Sequence, residues 1–485
     1  MKRNEINKNE ISPLGSKELP SALPLKNLLG PSFILLGLGL GSGEVVLWPY
    51  MASNYGLGIM WGLLLGITMQ FFINMEVSRY ALVNGESVFV GFTRLYRWLP
   101  IWFIFSTFLG FGWPGIGLYG ASLLSAAAKP ALVVQPSTIA IVLFLTIGIV
   151  LSVGKVLYKT VEQLQKFLIG ICVPFIIGLT YYLAPNEDIV ALVKGLAGQG
   201  IIQGEQYSFF PPGIVLGTFL GALAYAGAGG NLNLAQSCYV RDKGYGMGKY
   251  AQGITSLITT GGFSNTFTLT GSTFPTTPEN MNRFHQWWKA MNWEHFLVFW
   301  LLGLFTMLTL SLLAYSTTFG SGDNTKGINF ILFEAKEIGQ ATLPMLGTIF
   351  LIVVGAMLCA TQLTILDATT RIITENIMLL RSGRTPLHVS KVYYSVLWLQ
   401  IIFGITVFSL GFDQPLTLII FGAIINAFSM FVYTGILLYL NNRTLAKELR
   451  PTLWRNFMLA FTFIFFGSFC AVTAYMELIT AFKPM

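Results

Sequence analysis

Two stretches of this chain put oxygen donors where apolar side chains are expected. "LGLGLGSGEVVLWPYMASNYGLG", Leu36 to Gly58, starts apolar, breaks at Gly37, Gly39, Gly41 and Gly43, sets one carboxylate at Glu44 and turns apolar again. "AYAGAGGNLN", Ala224 to Asn233, repeats the device and closes the run Ala226, Gly227, Ala228, Gly229, Gly230 with the amide of Asn231. The donors on offer are Glu44, Asn231, Gln236 and peptide carbonyls freed at Gly41 and around Ala226–Gly229, with no sulfur or imidazole among them. An oxygen-only set suits a hard cation such as Mg²⁺ or Mn²⁺ and suits soft metals poorly. Glu44 and Asn231 are the side chains expected to touch such an ion. Bare amides in the Gly41-Ser42-Gly43 turn suit a second guest as well, the carboxylate of a small organic solute. Glu44 would then meet an ammonium or cap its own half-helix. Both readings remain open on these residues.

A second group of polar side chains is ionic. Glu76 and Arg79, Glu162 and Lys166, and the trio Asp367, Arg371 and Glu375 all sit in otherwise apolar segments. The trio is spaced i, i+4, i+8, which places it on one helix face. Charges inside a membrane are costly unless paired or wetted. The expectation is a ladder of ion pairs near one membrane face, either structural or acting as a gate. No His/Cys cluster or nucleophile–base pair stands out in the apolar segments, so an enzyme has little support and no cofactor is expected. The four cysteines, Cys172, Cys238, Cys359 and Cys470, fall in or beside those segments and do not suggest disulfides.

The elements that must carry these groups are membrane helices. Of 485 residues 54% are hydrophobic and 10% charged, with a mean hydropathy of +0.66, a balance foreign to a soluble globule. Apolar stretches long enough to cross a hydrocarbon core of about 30 Å recur along the chain. Eleven helical spans are predicted, at about 28–54, 57–80, 99–128, 137–156, 160–184, 213–240, 293–317, 343–378, 391–411, 415–440 and 453–480. The expected fold class is an all-α polytopic membrane protein. Its parts are a polar tail (1–27, with no signal-peptide pattern), a first five-helix unit (28–184), a loop (185–212), a second five-helix unit (213–440) containing a long loop (241–291), and an eleventh helix (453–480).

Of the 29 Lys and Arg residues, 24 fall in the tail and in alternate loops on its side. That asymmetry puts the N-terminus in the cytoplasm, the C-terminus outside and the chain in the plasma membrane. The net charge of +8 is therefore topological, and the expected partner is a lipid bilayer, not nucleic acid. "RFHQWWKAMNW", with Trp287, Trp288 and Trp293, reads as an interfacial helix on the inner leaflet. "GFGWPGIGLYG" in span 3 reads as a close-packing or flexing segment against span 1.

Spans 1 and 6 carry the two broken stretches and start from opposite sides, five helices apart. Paired broken helices in inverted halves mark the solute site of a secondary transporter. Backbone freed at membrane depth survives only where protein, water or a guest satisfies it.

From Gly30-Pro31 through "YGLGIMW" (Tyr55 to Trp61), the chain resembles the NRAMP (natural resistance-associated macrophage protein) family of divalent-metal transporters. The resemblance extends to "RYALVNGES" at the end of span 2, "ATQLTILDATT" in span 8 and the eleven-helix layout. It implies a LeuT-like fold: two inverted five-helix repeats with broken helices 1 and 6, plus one added helix. The motifs themselves differ. The family's Asp-Pro-Gly-Asn falls on Gly41, Ser42, Gly43 and Glu44, its Met-Pro-His on Gly229, Gly230 and Asn231, and its later span-6 histidine on Gln236. Span 3 lacks the family's acids and span 9 its arginine. The resemblance implies a divalent-metal transporter; the oxygen-only donors favour a hard cation, span 3 without acids points to weak or no proton coupling, and the alternative passenger is a small organic solute such as an amino acid.

Overall fold

The computed structural model describes residues 11–23, 30–129, 133–153, 157–251, 269–320, 329–382, 388–411 and 415–481. Among them nine helical segments are long and apolar enough to cross a membrane. Spans 1 and 6 fall outside that count because each is cut in two. Span 1 runs Pro31–Gly39, then a wide π turn Ser42–Leu47, then Trp48–Tyr55. Span 6 runs Leu216–Ala224, then an irregular stretch, then Leu232–Asp242. The described residues thus form eleven crossings, and the side on which residues 11–23 lie is called here the tail side.

Span 8, Pro344–Leu380, is the central post. It packs on spans 1, 3, 5, 6 and 9, and its polar stripe is spent on those neighbours. Thr361 Oγ1 donates to the Gly37 carbonyl (3.0 Å), the Gln362 side chain accepts from Gly117 N (2.9 Å), and Gln400 of span 9 bonds Thr369 and Thr370. Spans 4 and 11 keep most of their apolar surface outward, as helices facing lipid do.

Two sequence expectations are corrected. The Trp-rich stretch is not a separate helix lying flat on a leaflet. Pro278–His295 passes through a π turn, Phe296–Leu302, into Gly303–Thr318 as one continuous helix. Trp287 is buried there because its Nε1 donates to the Pro20 carbonyl (2.8 Å), while Trp288 lies against the guanidinium groups of Arg79 and Arg455. Span 3 is also interrupted, into Leu99–Phe111 and Gly115–Ala128, where Pro114 lacks the N–H that would continue the ladder. Its glycines pack mainly on spans 8 and 10, not span 1: a Cβ at Gly422 would lie 2.5 Å from the Gly110 carbonyl.

Elements too short or too polar for the span count surround this core. On the tail side, residues 15–20 form a strap. Gly15–Ser16 pairs with Ser272–Thr273 in a parallel bridge, and Leu19 is buried with its N–H on Asn280 Oδ1 (3.2 Å). On the far side lie helices Asn186–Leu196 and Asn329–Ala341 and a hairpin pairing Gln199–Ile202 with Glu205–Ser208.

Candidate functional site

The two breaks meet. Gly43 lies so close to span 6 that a Cβ there would stand 1.6 Å from the Tyr225 carbonyl oxygen. Gly41 backs onto Thr361 of span 8, and Gly37 onto Gln165 of span 5, at distances a side chain would occupy. In span 6 the chain leaves the helix through Gly227, Gly229 and Gly230, whose φ values of 145°, 76° and 44° are accessible to glycine and costly for other residues. The glycine runs therefore perform two jobs: close approach in span 1 and reversed backbone in span 6.

Gln70 of span 2, which was absent from the sequence candidates, bridges the span 6 break. Its Nε2 donates to the Leu223 and Ala224 carbonyls (3.4 and 3.1 Å), and its Oε1 accepts from Gly229 N (2.9 Å). One side chain thus replaces the missing helical turn and satisfies groups on both flanks of the gap. Gln70 thus occupies the Leu223 and Ala224 carbonyls and the Gly229 amide, and does not bond the carbonyls of Ala226–Gly229 that the sequence singles out.

Asn231 is fully buried. Its Nδ2 donates to Ser106 Oγ (2.7 Å) and Thr107 Oγ1 (2.9 Å) of span 3, while its Oδ1 has no partner among the described residues. Asn426 of span 10 repeats the pattern. Its Nδ2 donates to the Tyr225 hydroxyl (2.9 Å) and the Gly110 carbonyl (3.1 Å), and its Oδ1, also bare, faces Gly230 at a spacing that leaves no room for a Cβ. Asn233 holds Tyr433 through Nδ2 (3.1 Å) with Oδ1 unmatched, and Gln236 Oε1 is buried and unmatched. Buried polar atoms are paired in nearly all folded proteins. Amide oxygens left bare beside a helix break are acceptors waiting for a donor or a cation.

Glu44 and Ser42 contribute backbone to the π turn, but their side chains lie outside the described residues. Ala226, Gly227, Gly229 and Gly230 line the gap in span 6 and are buried. Among the described residues no three His, Cys, Asp or Glu side chains gather as a metal cluster.

The ionic residues assemble on the tail side, though with partners that sequence spacing did not reveal. Asp367 and Arg371 pair directly (2.9 Å), but Glu375 does not continue their ladder. It pairs instead with Arg241 at the end of span 6 (3.0 Å) and accepts from Ser87. Arg371 also holds Asp242, which in turn bonds Arg241 (3.1 Å), so a continuous chain Asp367–Arg371–Asp242–Arg241–Glu375 links spans 6 and 8. Tyr393 and Tyr239 donate to Asp367 (2.6 and 3.3 Å). Glu162 of span 5 pairs with Lys166 (2.5 Å) and with Lys243 just past span 6 (2.9 Å). Glu76 and Arg79 (2.7 Å) belong to a different cluster, with Arg455 at the foot of span 11 (3.2 Å). Below the breaks, span 6 is thus clamped to spans 5 and 8 by buried charge.

No family model matches the chain, and no curated protein matches it. Solved structures do match in fold. A manganese transporter of Eremococcus coleocola, as a variant, superposes with a TM-score of 0.62 at 13% identity, covering 97% of this chain and 92% of that one. The chain has the fold of that transporter. The same protein in complex with an aromatic bis-isothiourea substituted compound gives 0.62 at 14% identity with the same coverage. MhsT in complex with L-phenylalanine gives 0.51 at 14% identity, covering 95% of this chain and 99% of that one. The architecture is therefore the LeuT-like one expected: all-α, polytopic, with helices 1 and 6 broken.

Sequence reasoning missed Gln70, Asn426, Arg241, Asp242 and Lys243. For Gln70 and Asn426 a signal existed, since an uncharged amide in an apolar span is rarely placed there without a partner.

Proposed function

We propose that this protein is a secondary transporter of the plasma membrane that carries a hard divalent cation, Mg²⁺ or Mn²⁺, between the breaks of spans 1 and 6. In this assignment the tail side faces the cytoplasm, as the charge asymmetry favours. The observation that carries the reading is the unmatched Asn231 Oδ1 at the span 6 break, supported by the bare Asn426 Oδ1 opposite Gly230. Both are hard neutral oxygens, and Glu44 is the one acid in the two broken stretches. Such a site holds a cation that retains part of its water shell, as Mg²⁺ does.

Proton coupling is weak or absent in this reading. Span 3 carries no acid, and the groups it offers to the site are the hydroxyls of Ser106 and Thr107, already holding Asn231. The ion-pair chain between spans 6 and 8 is the cytoplasmic gate, closed here.

One observation favours an organic passenger instead. A void with room for about one water lies between the breaks of spans 3 and 6, walled by Phe111, Trp113, Tyr225, Gln362 and Ile365. Phe111 and Tyr225 stand 5.7 Å apart between centroids, and aromatic walls suit an apolar side chain.

Purified protein in liposomes, given Mg²⁺, Mn²⁺, Ca²⁺ or an amino-acid mixture, separates the two. Metal flux abolished by Glu44→Gln establishes the cation. Amino-acid flux without metal response sinks it. A pH dye inside the same liposomes reports coupling, and stoichiometric acidification on metal addition contradicts the uncoupled reading.

A further inference from the structure

Helix Asn329–Ala341, on the far side between spans 7 and 8, has a plain amphipathic pattern: Phe330, Ile331, Ala335 and Ile338 face inward. Glu334 stands in the middle of that apolar stripe. It is 2% exposed, and its Oε1 has no hydrogen-bond partner among the described residues. The helix is not an ornament on the surface. Phe330 meets Tyr50 of span 1 edge-on, with centroids 6.1 Å apart, and Gly347 at the start of span 8 tucks under the Ala335 carbonyl with no space for a Cβ. The helix therefore packs on spans 7 and 8 and reaches Tyr50 in the far-side half of span 1, the half-helix that leads to the break.

An ionised carboxylate in this place is costly, and a position that asks for Leu carries Glu. We propose that Glu334 is a proton-binding site on a far-side lid: the helix lies closed with a proton on Glu334 and lifts when the proton leaves. The step is a simple acid dissociation. The carboxylic O–H breaks, the electron pair stays on the carboxylate, and far-side water takes the proton. Reclosing returns it to the same side, so the site gates the path without driving transport. The inference depends on the fold and not on the identity of the passenger.

The groups that face the carboxyl do not oppose this. Of the elements packed against the helix, span 7 carries Tyr315 and residues 344–355 of span 8 carry nothing titratable, while the nearby far-side half of span 1 carries Tyr50 and Tyr55 and span 3 carries Tyr119. On its own helix Lys336 is exposed and Glu337 half-buried. Burial is the cause acting on Glu334 and pushes it up to about 8, with no cation among the described residues offsetting it. Lifted into water, a glutamate has its ordinary value of about 4.3. The closed state thus binds the proton more tightly. Its advantage is complete below about 4.3 and is lost as pH rises to about 8, with a limiting slope of about tenfold per unit between them.

Hydrogen–deuterium exchange of peptides covering residues 329–341 tests this in the purified full chain, with no passenger required. Dividing the parent's exchange rate by that of Glu334→Gln at each pH cancels the intrinsic pH dependence of exchange. The expected result is a ratio that rises by about threefold or more from pH 6 to pH 8. A flatter ratio overturns the proposal. Glu334→Met, of similar volume, replaces the amide if that variant does not fold. Glu337→Gln must leave the parent's rise intact; if it abolishes the rise, the titrating group is elsewhere and Glu334 is not the site.

Discussion

Gly43 and the Tyr225 carbonyl are in van der Waals contact across the junction of the two broken helices, and no side chain fits between them. The contact fixes how deeply span 1 seats against span 6.

Gly43→Ala is therefore expected to be severe for its size. A Cβ would meet backbone, not the end of a flexible side chain, so relief requires moving a half-helix. Overpacking of this kind costs about 1–3 kcal/mol. A lower thermal midpoint in detergent, together with loss of most uptake, is the expected outcome. Unchanged melting and uptake would mean the breaks do not touch.

Gln70→Leu removes the bridge across span 6 while keeping the volume nearly constant. The Ala224 carbonyl and the Gly229 amide lose their partner at a buried position, each worth about 1–3 kcal/mol when left unpaired, while the Leu223 carbonyl keeps the Ala226 amide (3.2 Å). The variant is expected to lose about 2 kcal/mol or more in total. Gln70→Glu should restore only the bond to Gly229 N, because a carboxylate cannot donate to the carbonyls. Thermal melting of the pair, ranked below the parent with Glu above Leu only if it is ionised and paired there, checks the account.

The ionic clamp is where sequence and structure part most clearly. Spacing placed Asp367, Arg371 and Glu375 on one face, and that is correct helix geometry. It could not show that Glu375 turns to Arg241, or that Asp242 completes the chain, because those residues arrive from span 6. Composition and hydropathy made the eleven crossings legible, and the glycine runs made the two breaks legible. Span 3 keeps its expected bounds, but Pro114 divides it and its glycines face spans 8 and 10 where span 1 is expected, because local composition does not name the neighbour. Gln70 and Asn426 stand out in sequence only as amides in apolar spans, and their roles come from neighbours far away in the chain.

Removing one partner of that clamp leaves a buried charge uncompensated, a loss of about 3–5 kcal/mol. Arg371→Asp is expected to abolish folding or transport, and the swap Arg371→Asp with Asp242→Arg to recover part of it, because the two side chains meet across spans 6 and 8. A swap through Glu375 should recover less, as Glu375 faces Arg241. Equal recovery from both swaps, measured as uptake at matched protein levels, contradicts the pairing.

Asn231→Asp distinguishes the passengers by charge. The Ser106 and Thr107 hydroxyls now accept from Nδ2; Thr107 can rotate to donate to a carboxylate instead, and Ser106 can do so by giving up its bond to the Trp102 carbonyl (2.7 Å), so the substitution keeps an anchor. The oxygen that was neutral and bare becomes part of an anion at the helix break. In the proposed site a divalent cation gains a carboxylate ligand, and its KM should fall by about threefold or more, about 0.7 kcal/mol or more in binding. A zwitterionic solute whose carboxylate docks on the same half-helix amides is repelled, and its KM should rise. An unchanged KM for both classes would place Asn231 outside the passenger's contact shell and leave its Oδ1 to a structural water.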